Sequence, residues 1–229
     1  MKRPRQPSKN QACTYCADGR GTTKDHVPPK SFFPKLDNKT VPITVPCCDE
    51  CHAQTSGTDG TLRNIIVGIK ESERHPDVHA ELSVKMERAL GDPRELKRVL
   101  ELMQTVELVS PSGIYVGTDW AFNLQGSPVD HFAERIMRAL LRHEFGQPFF
   151  EGVFGWHPVS EPLPDLIYAG FATVGKARIV HRVFSYGVIG FRDSDEAWAV
   201  AQFYGGFEMF IRAKKAHGQS AEASIPISV

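Results

Sequence analysis

The chain has 229 residues, 41% of them hydrophobic and 24% charged, with 27 Lys and Arg balanced by 27 Asp and Glu. Such a length and composition allow one or two domains and exclude wholesale disorder, and the zero net charge excludes a uniformly basic nucleic-acid coat though not a local patch. No apolar run approaches the roughly 18 residues of a membrane span and no signal-peptide core follows the basic start, so a cytoplasmic protein with no membrane partner is expected.

Residues 1–11, MKRPRQPSKNQ, read as a flexible basic arm broken by Pro4 and Pro7, with Lys2, Arg3 and Arg5 available to phosphates. The first 60 residues carry nine Lys and Arg against six Asp and Glu, and the remaining 169 carry 18 against 21, so the neutral total hides a basic front. Residues 12–60 hold all five cysteines and read as one small module; residues 61–214 read as an α+β domain, and 215–229 as a flexible tail. A helix is expected over TDGTLRNIIVGIK, with Asp59 or Thr61 as cap and Leu62, Ile65, Ile66 and Ile69 at helical spacing. The next follows in HPDVHAELSVKMERAL, where Val78, Leu82, Met86 and Leu90 recur every four residues before Gly91. DPRELKRVLELM restarts with Asp92 as cap and Pro93 at the first helical position. A strand pair is expected in TVELVS and IYVGT around a turn at Pro111–Gly113, then a long helix in SPVDHFAERIMRALLRHEFG with Phe132, Ile136, Leu140 and Leu141 on one stripe. From Leu166 to Ala213 the segments DLIYAGFATVG, ARIVHRVFSYGVIGF and WAVAQFYGGFEMFIRAK read as strands of an antiparallel sheet, with a helix over Asp195–Phe203 as the alternative. The aromatic residues Trp120, Trp156, Trp198, Phe203, Tyr204, Phe207 and Phe210 read as core. His131, His143 and His181 read as structural or surface residues. The mild acidity of this region suits a homodimer or protein partner better than a second DNA surface.

Cys13-Thr14-Tyr15-Cys16 and Cys48-Asp49-Glu50-Cys51 share one spacing, with 31 residues between the pairs. Each pair can present two thiolates to a tetrahedral ion, so Cys13, Cys16, Cys48 and Cys51 are expected to hold a structural zinc that supplies folding energy to a segment short of core. Cys47 breaks the two-residue spacing and reads as a core filler. Between the pairs, Asp25 and His26 stand before Pro28 and Pro29. A carboxylate there can bind a divalent cation while the imidazole takes a proton from water, with His52, just after the last zinc cysteine, as a second ligand; an ordinary surface turn is the alternative.

The combination CTYC, TKDHVPPKSFF and ITVPCCDECH resembles the HNH endonuclease family in its four-cysteine form, over roughly residues 12–60. More narrowly, it is similar to bacterial HNH proteins with a larger C-terminal region. The resemblance implies an N-terminal ββα-metal, treble-clef-like zinc module, followed here by helices and a C-terminal antiparallel sheet. It implies His26 as general base, Asp25 and His52 as ligands of a catalytic divalent ion, and the four cysteines on zinc. The family's asparagine is missing from Val41–Val45, with Asn38 the nearest candidate upstream.

The function expected is therefore a metal-dependent endonuclease acting on double-stranded DNA. His26 would activate water while the ion stabilises the leaving oxygen, leaving a 5′-phosphate. Mg²⁺ is the default ion, and a histidine ligand also admits Mn²⁺, Ni²⁺ or Zn²⁺. Lys24, Lys30, Lys35 and Lys39 are the candidate phosphate contacts. The alternative is a catalytically inactive zinc-stabilised module that binds nucleic acid or protein.

Overall fold

The protein is described from a computed structural model covering residues 11–35, 42–124, 126, 128–146, 149–159, 163–173, 175–191 and 194–216. Lys2, Arg3, Arg5, Asn38, Lys39 and nearly all of the expected arm and tail lie outside the described residues.

The cysteine-bearing segment contains an antiparallel pair, β1 (Thr23–Val27) and β2 (Ile43–Cys47), with Asp25 opposite Val45 and His26 opposite Thr44. Alternation sorts β1: Asp25 and Val27 are buried, whereas Lys24 and His26 are only partly so. Two helices follow, α1 (Asp49–Ser56) and α2 (Asp59–Val67). The apolar spacing read from the sequence buries Leu62, Ile65 and Ile66 along α2. A π-helical turn over Val78–Leu82 leads into α3 (Ser83–Leu90), so the expected single helix forms with a widened first turn. α4 (Pro93–Leu100) starts as anticipated, with the Asp92 carboxylate accepting from the Arg94 N–H at 2.8 Å.

β3 (Met103–Val109) and β4 (Tyr115–Phe122) form a separate two-stranded ribbon. The long helix α5 (Pro128–Phe145) buries Phe132, Ile136, Met137, Leu140 and Leu141, and Gly146 follows it at φ 76°, a left-handed conformation that suits glycine. Five strands make the C-terminal sheet: β5 (Gly152–Pro158), β6 (Lys176–Val180), β7 (Phe184–Ile189), β8 (Glu196–Phe203) and β9 (Phe207–Lys215). Their order is β5-β9-β8-β7-β6, antiparallel throughout. Residues 196–203 are strand, not helix: Ala197, Ala199, Ala201 and Phe203 all face inward at period two.

One expected strand is a helix. DLIYAGFAT forms α6 (Asp165–Thr173), which packs on β6 and β7. Buried Phe171 lies over Gly187, where a Cβ would come within 2.9 Å of its ring. The notch left by that glycine receives the helix, a docking that local propensity does not encode. A second departure is Trp120, which is largely exposed on the ribbon rather than core.

The architecture is α+β: N-terminal strands with the cysteine cluster, central helices and a C-terminal antiparallel sheet. One hydrophobic core spans these parts. Val27, Phe32, Phe33 and Val45 belong to the same buried cluster as the faces of α5 and the sheet. Phe32 stacks on Phe132 with centroids 5.3 Å apart, lies 5.5 Å from Phe203, and its carbonyl accepts from the Tyr204 hydroxyl at 2.7 Å. Among the described residues, no helix is long and apolar enough to cross a membrane.

Phe32 therefore acts as the plug joining the N-terminal segment to the sheet. Phe32→Ala is expected to cost about 3–5 kcal/mol in urea unfolding, with circular dichroism and tryptophan fluorescence falling in one shared transition.

Candidate metal centre

The first cysteine pair sits on a tight knuckle: the Cys13 N–H donates to the Gly19 carbonyl at 2.8 Å, and Ala12 bridges Arg20. Gly19 is required by space, since a Cβ there would lie 2.7 Å from Cys16 Sγ and 2.9 Å from Cys48 Sγ. The second pair is delivered by the end of β2 and the first turn of α1. The ligand atoms of Cys13, Cys16, Cys48 and Cys51 all lie within 4.8 Å of one another. Cys16 Sγ and Cys48 Sγ are 3.8 Å apart, matching the edge of about 3.8 Å that a tetrahedron with Zn–S bonds of about 2.3 Å would have.

Backbone amides support the sulfurs. The N–H groups of Tyr15 and Cys48 point at Cys13 Sγ at 3.3 and 3.4 Å, and that of Cys51 at Cys48 Sγ at 3.4 Å. Burial opposes ionisation of Cys13, but the N–H donors of Tyr15, Cys48 and Cys16 outweigh it and bring that thiol down to about 7. Burial and the neighbouring sulfurs push Cys51 the other way, a crowding of thiolates that a divalent cation relieves. Cys47 is buried, its thiol is raised chiefly by burial, and it donates to the Cys48 carbonyl at 3.3 Å. Four cysteines thus fit a structural zinc, with Cys47 beside it as a packed thiol.

Asp25 has other company. Its Oδ1 accepts from Arg135 Nη2 at 2.7 Å and from the His26 N–H at 3.0 Å; its Oδ2 accepts from the Tyr15 hydroxyl at 2.6 Å and from Arg135 Nε at 2.9 Å. Four donors use the roughly four lone-pair sites a carboxylate offers, so the buried Asp25 has none left for a cation. The positive charge beside it is the guanidinium of α5, which also reaches Asp59 through Nη1 at 2.7 Å. Burial pushes the Asp59 carboxyl up while Arg135 pulls it down, and burial followed by the Asp25 charge holds the Tyr15 hydroxyl firmly protonated. One helical turn on, Arg138 donates to the Tyr15 and Phe150 carbonyls at 2.5 and 3.2 Å and pairs with Glu134. An open cavity of about 540 Å³ adjoins this network, lined by Tyr15, Cys51, Asp59, Phe132, Arg135 and Arg138.

His26 and His52 do not join the sulfur cluster. His26 lies half-buried on the side of β1 opposite Asp25, and His52 is exposed on α1. Burial lowers the His26 pKa first; the charges of Lys30, His52 and Lys24 press it down further, against the pull of Asp25. Lys24 shares the His26 side of β1, and Lys30 and His52 lie near enough for their charges to reach that imidazole. Lys35 lies apart, its main-chain N–H on the Glu81 carboxylate at 2.8 Å.

The chain matches no protein-family model, no curated protein and no solved structure.

The expectation of an endonuclease is corrected here. Among the described residues, the one group of three or more metal-ligating side chains is all cysteine and contains no histidine, a composition suited to a structural ion. Among the described residues, no catalytic divalent-cation site accompanies it. The carboxylate expected to hold such an ion is saturated by Arg135, Tyr15 and the His26 amide. The nuclease, hydrolase and treble-clef descriptions are replaced by a metal-binding cysteine cluster within an α+β chain.

Sequence reasoning missed Arg135, Tyr15 and Gly19. Arg135 carried a signal: it lies three residues after Phe132 and four before Ala139, on the apolar stripe of α5, where a charge has to be paired. Its partner was 110 residues away in sequence.

Two outcomes follow from this geometry. Purified protein should carry a single equivalent of zinc by elemental analysis, and its removal by a chelator should lower Tm by about 10 °C or more. Arg135→Met, which strands Asp25 in the core, should cost about 3–5 kcal/mol in denaturant unfolding, and adding Asp25→Asn should recover part of that loss.

Proposed function

We propose that this protein is a zinc-stabilised nucleic-acid-binding module that holds its target without hydrolysing it. The observation that carries this reading is the outward face beside the cysteine cluster, where Lys24, His26, Lys30 and His52 stand close enough for their charges to act on His26. The strand puts Asp25 inward, where Arg135 pairs with its carboxylate. Two lysines and two imidazoles held by a hairpin and a helix on a metal centre form a fixed strip that suits phosphate oxygens. Asp49 and Glu50 open α1 and confine the strip to the β1 side. Lys35 and Lys39 remain in the proposal as outer contacts, and double-stranded DNA is the first target to try.

Fluorescence anisotropy with a labelled duplex, a single strand and an RNA of equal length tests this reading. Binding should weaken steeply with salt, and Lys24→Ala or Lys30→Ala should each reduce the slope of log K against log salt by about 1. The labelled strand should remain intact with Mg²⁺ or Mn²⁺. Because burial, and then the charge of Lys30, lower the His26 pKa, the imidazole is neutral at pH 7 and charges only below its ordinary range. Affinity should therefore rise as pH falls below about 6.5, less so in His26→Ala. Absence of salt-dependent binding to all three probes would sink the reading.

A further inference from the structure

The cavity of about 540 Å³ beside the Asp25–Arg135 junction has the size of a small-molecule site, and the nucleic-acid reading leaves it unused. Its lining carries an unbalanced charge. Arg135 pairs with both Asp25 and Asp59, and Arg138 pairs with Glu134. Three carboxylates thus share two guanidiniums, and one negative charge is left over in a largely buried group. The start of α2, where Asp59 stands, offers at most about half a positive charge in return. No lysine lines the cavity among the described residues.

The surplus is open to the cavity at Asp59. That side chain spends Oδ1 on Arg135 Nη1, and among the described residues no donor reaches Oδ2. It is 14% exposed and lines the cavity, so Oδ2 is the oxygen left for a ligand. Burial holds the Asp59 carboxyl above its ordinary range in spite of Arg135, as expected of a carboxylate short of counter-charge.

The walls choose the class of ligand. An anion finds both guanidiniums committed, Arg135 to the two aspartates and Arg138 to Glu134 and the Tyr15 and Phe150 carbonyls, with Arg138 Nε sealed in the interior. A metal ion needs several ligands. Among the described residues, the four cysteines are the one group of three or more metal-ligating side chains. Leu62, Pro128 and Phe132 supply apolar wall that a bare ammonium ion would leave unfilled. A cation on an apolar body answers both features, its charge on Asp59 and its body along these side chains.

We propose that this cavity binds a small organic cation, an amidinium or ammonium group on an aromatic or apolar body, with Asp59 as the carboxylate anchor. The proposal does not rest on the nucleic-acid reading.

The experiment is isothermal titration calorimetry of the full zinc-loaded chain with benzamidinium chloride, without nucleic acid. The expected result is one equivalent bound with a Kd of about 0.1–1 mM. Benzamide, of the same shape without the charge, should bind at least about tenfold more weakly, and benzoate more weakly still. Asp59→Asn keeps an oxygen for Arg135 Nη1 while removing the surplus charge, and should weaken benzamidinium at least about tenfold with an unchanged circular dichroism spectrum. Exposed His131, at the edge of the cavity, supplies variants that do not disturb the junction. His131→Lys should weaken benzamidinium and His131→Glu should tighten it, each by about threefold. Benzamide or benzoate binding as tightly as benzamidinium would overturn the proposal. So would a folded Asp59→Asn chain that binds as well as the parent, or no binding of benzamidinium by about 10 mM. Should Asp59→Asn fail to fold, the His131 pair decides, and equal affinities for its two variants would sink the idea. Lys24→Ala, which tests the nucleic-acid reading, should bind benzamidinium unchanged, so the two readings fail separately.

Discussion

The ion pair between Asp25 and Arg135 joins parts of the chain 110 residues apart. A guanidinium on the apolar stripe of α5 is tolerated in the core only because Asp25 meets it in a two-bond fork and Asp59 takes its remaining amine. Tyr15 closes the arrangement from the other side, between two cysteines of the cluster, and Arg138 holds the Tyr15 carbonyl. The cysteine knuckle, β1, α2 and α5 thus meet at one carboxylate. Removing any member leaves a buried charge or hydroxyl without its partner, so the junction holds or fails as one network.

The cysteine cluster and the aromatic plug do complementary work on either side of that junction. Four sulfurs order a segment that contributes few apolar side chains of its own, and Phe32 carries the following turn between Phe132 and Phe203. Because the plug, the ion pair and the cysteine cluster all engage the same stretch of chain, the N-terminal segment is set against the sheet rather than tethered to it. The position where a hydrolytic ion would need a free carboxylate is occupied by the side chain that performs this joining. Structure and catalysis compete for Asp25, and the ion pair wins because it satisfies every lone pair of a buried group.

Two surfaces of opposite character remain open. The outward side of β1 offers lysines and imidazoles, and the β3–β4 ribbon offers aromatic and branched side chains with no cation. They arise from one rule applied twice. A strand sends alternate residues to opposite faces, so the inward half of β1 serves the junction and its outward half is free for a partner. Among the described residues, no layer packs across the Trp120 face of the ribbon, and its apolar residues are exposed.

Much of the molecule was legible in the sequence because it rests on local regularities. The paired cysteines, the Asp92 cap, the stripe of α5 and the hairpin around Pro111–Gly113 are each written within a few residues and appear where their spacing places them. The helix of residues 165–173 was misread because its apolar content suits either structure, and a glycine on a distant strand made room for Phe171. The fate of Asp25 was beyond local reading for the same reason. Adjacent Asp and His side chains announce reactive chemistry equally whether their partner is a metal ion or a guanidinium. Spacing along the chain dictated the metal cluster, since four thiolates define their own geometry; which partner Asp25 took depended on where folding carried a residue 110 positions away.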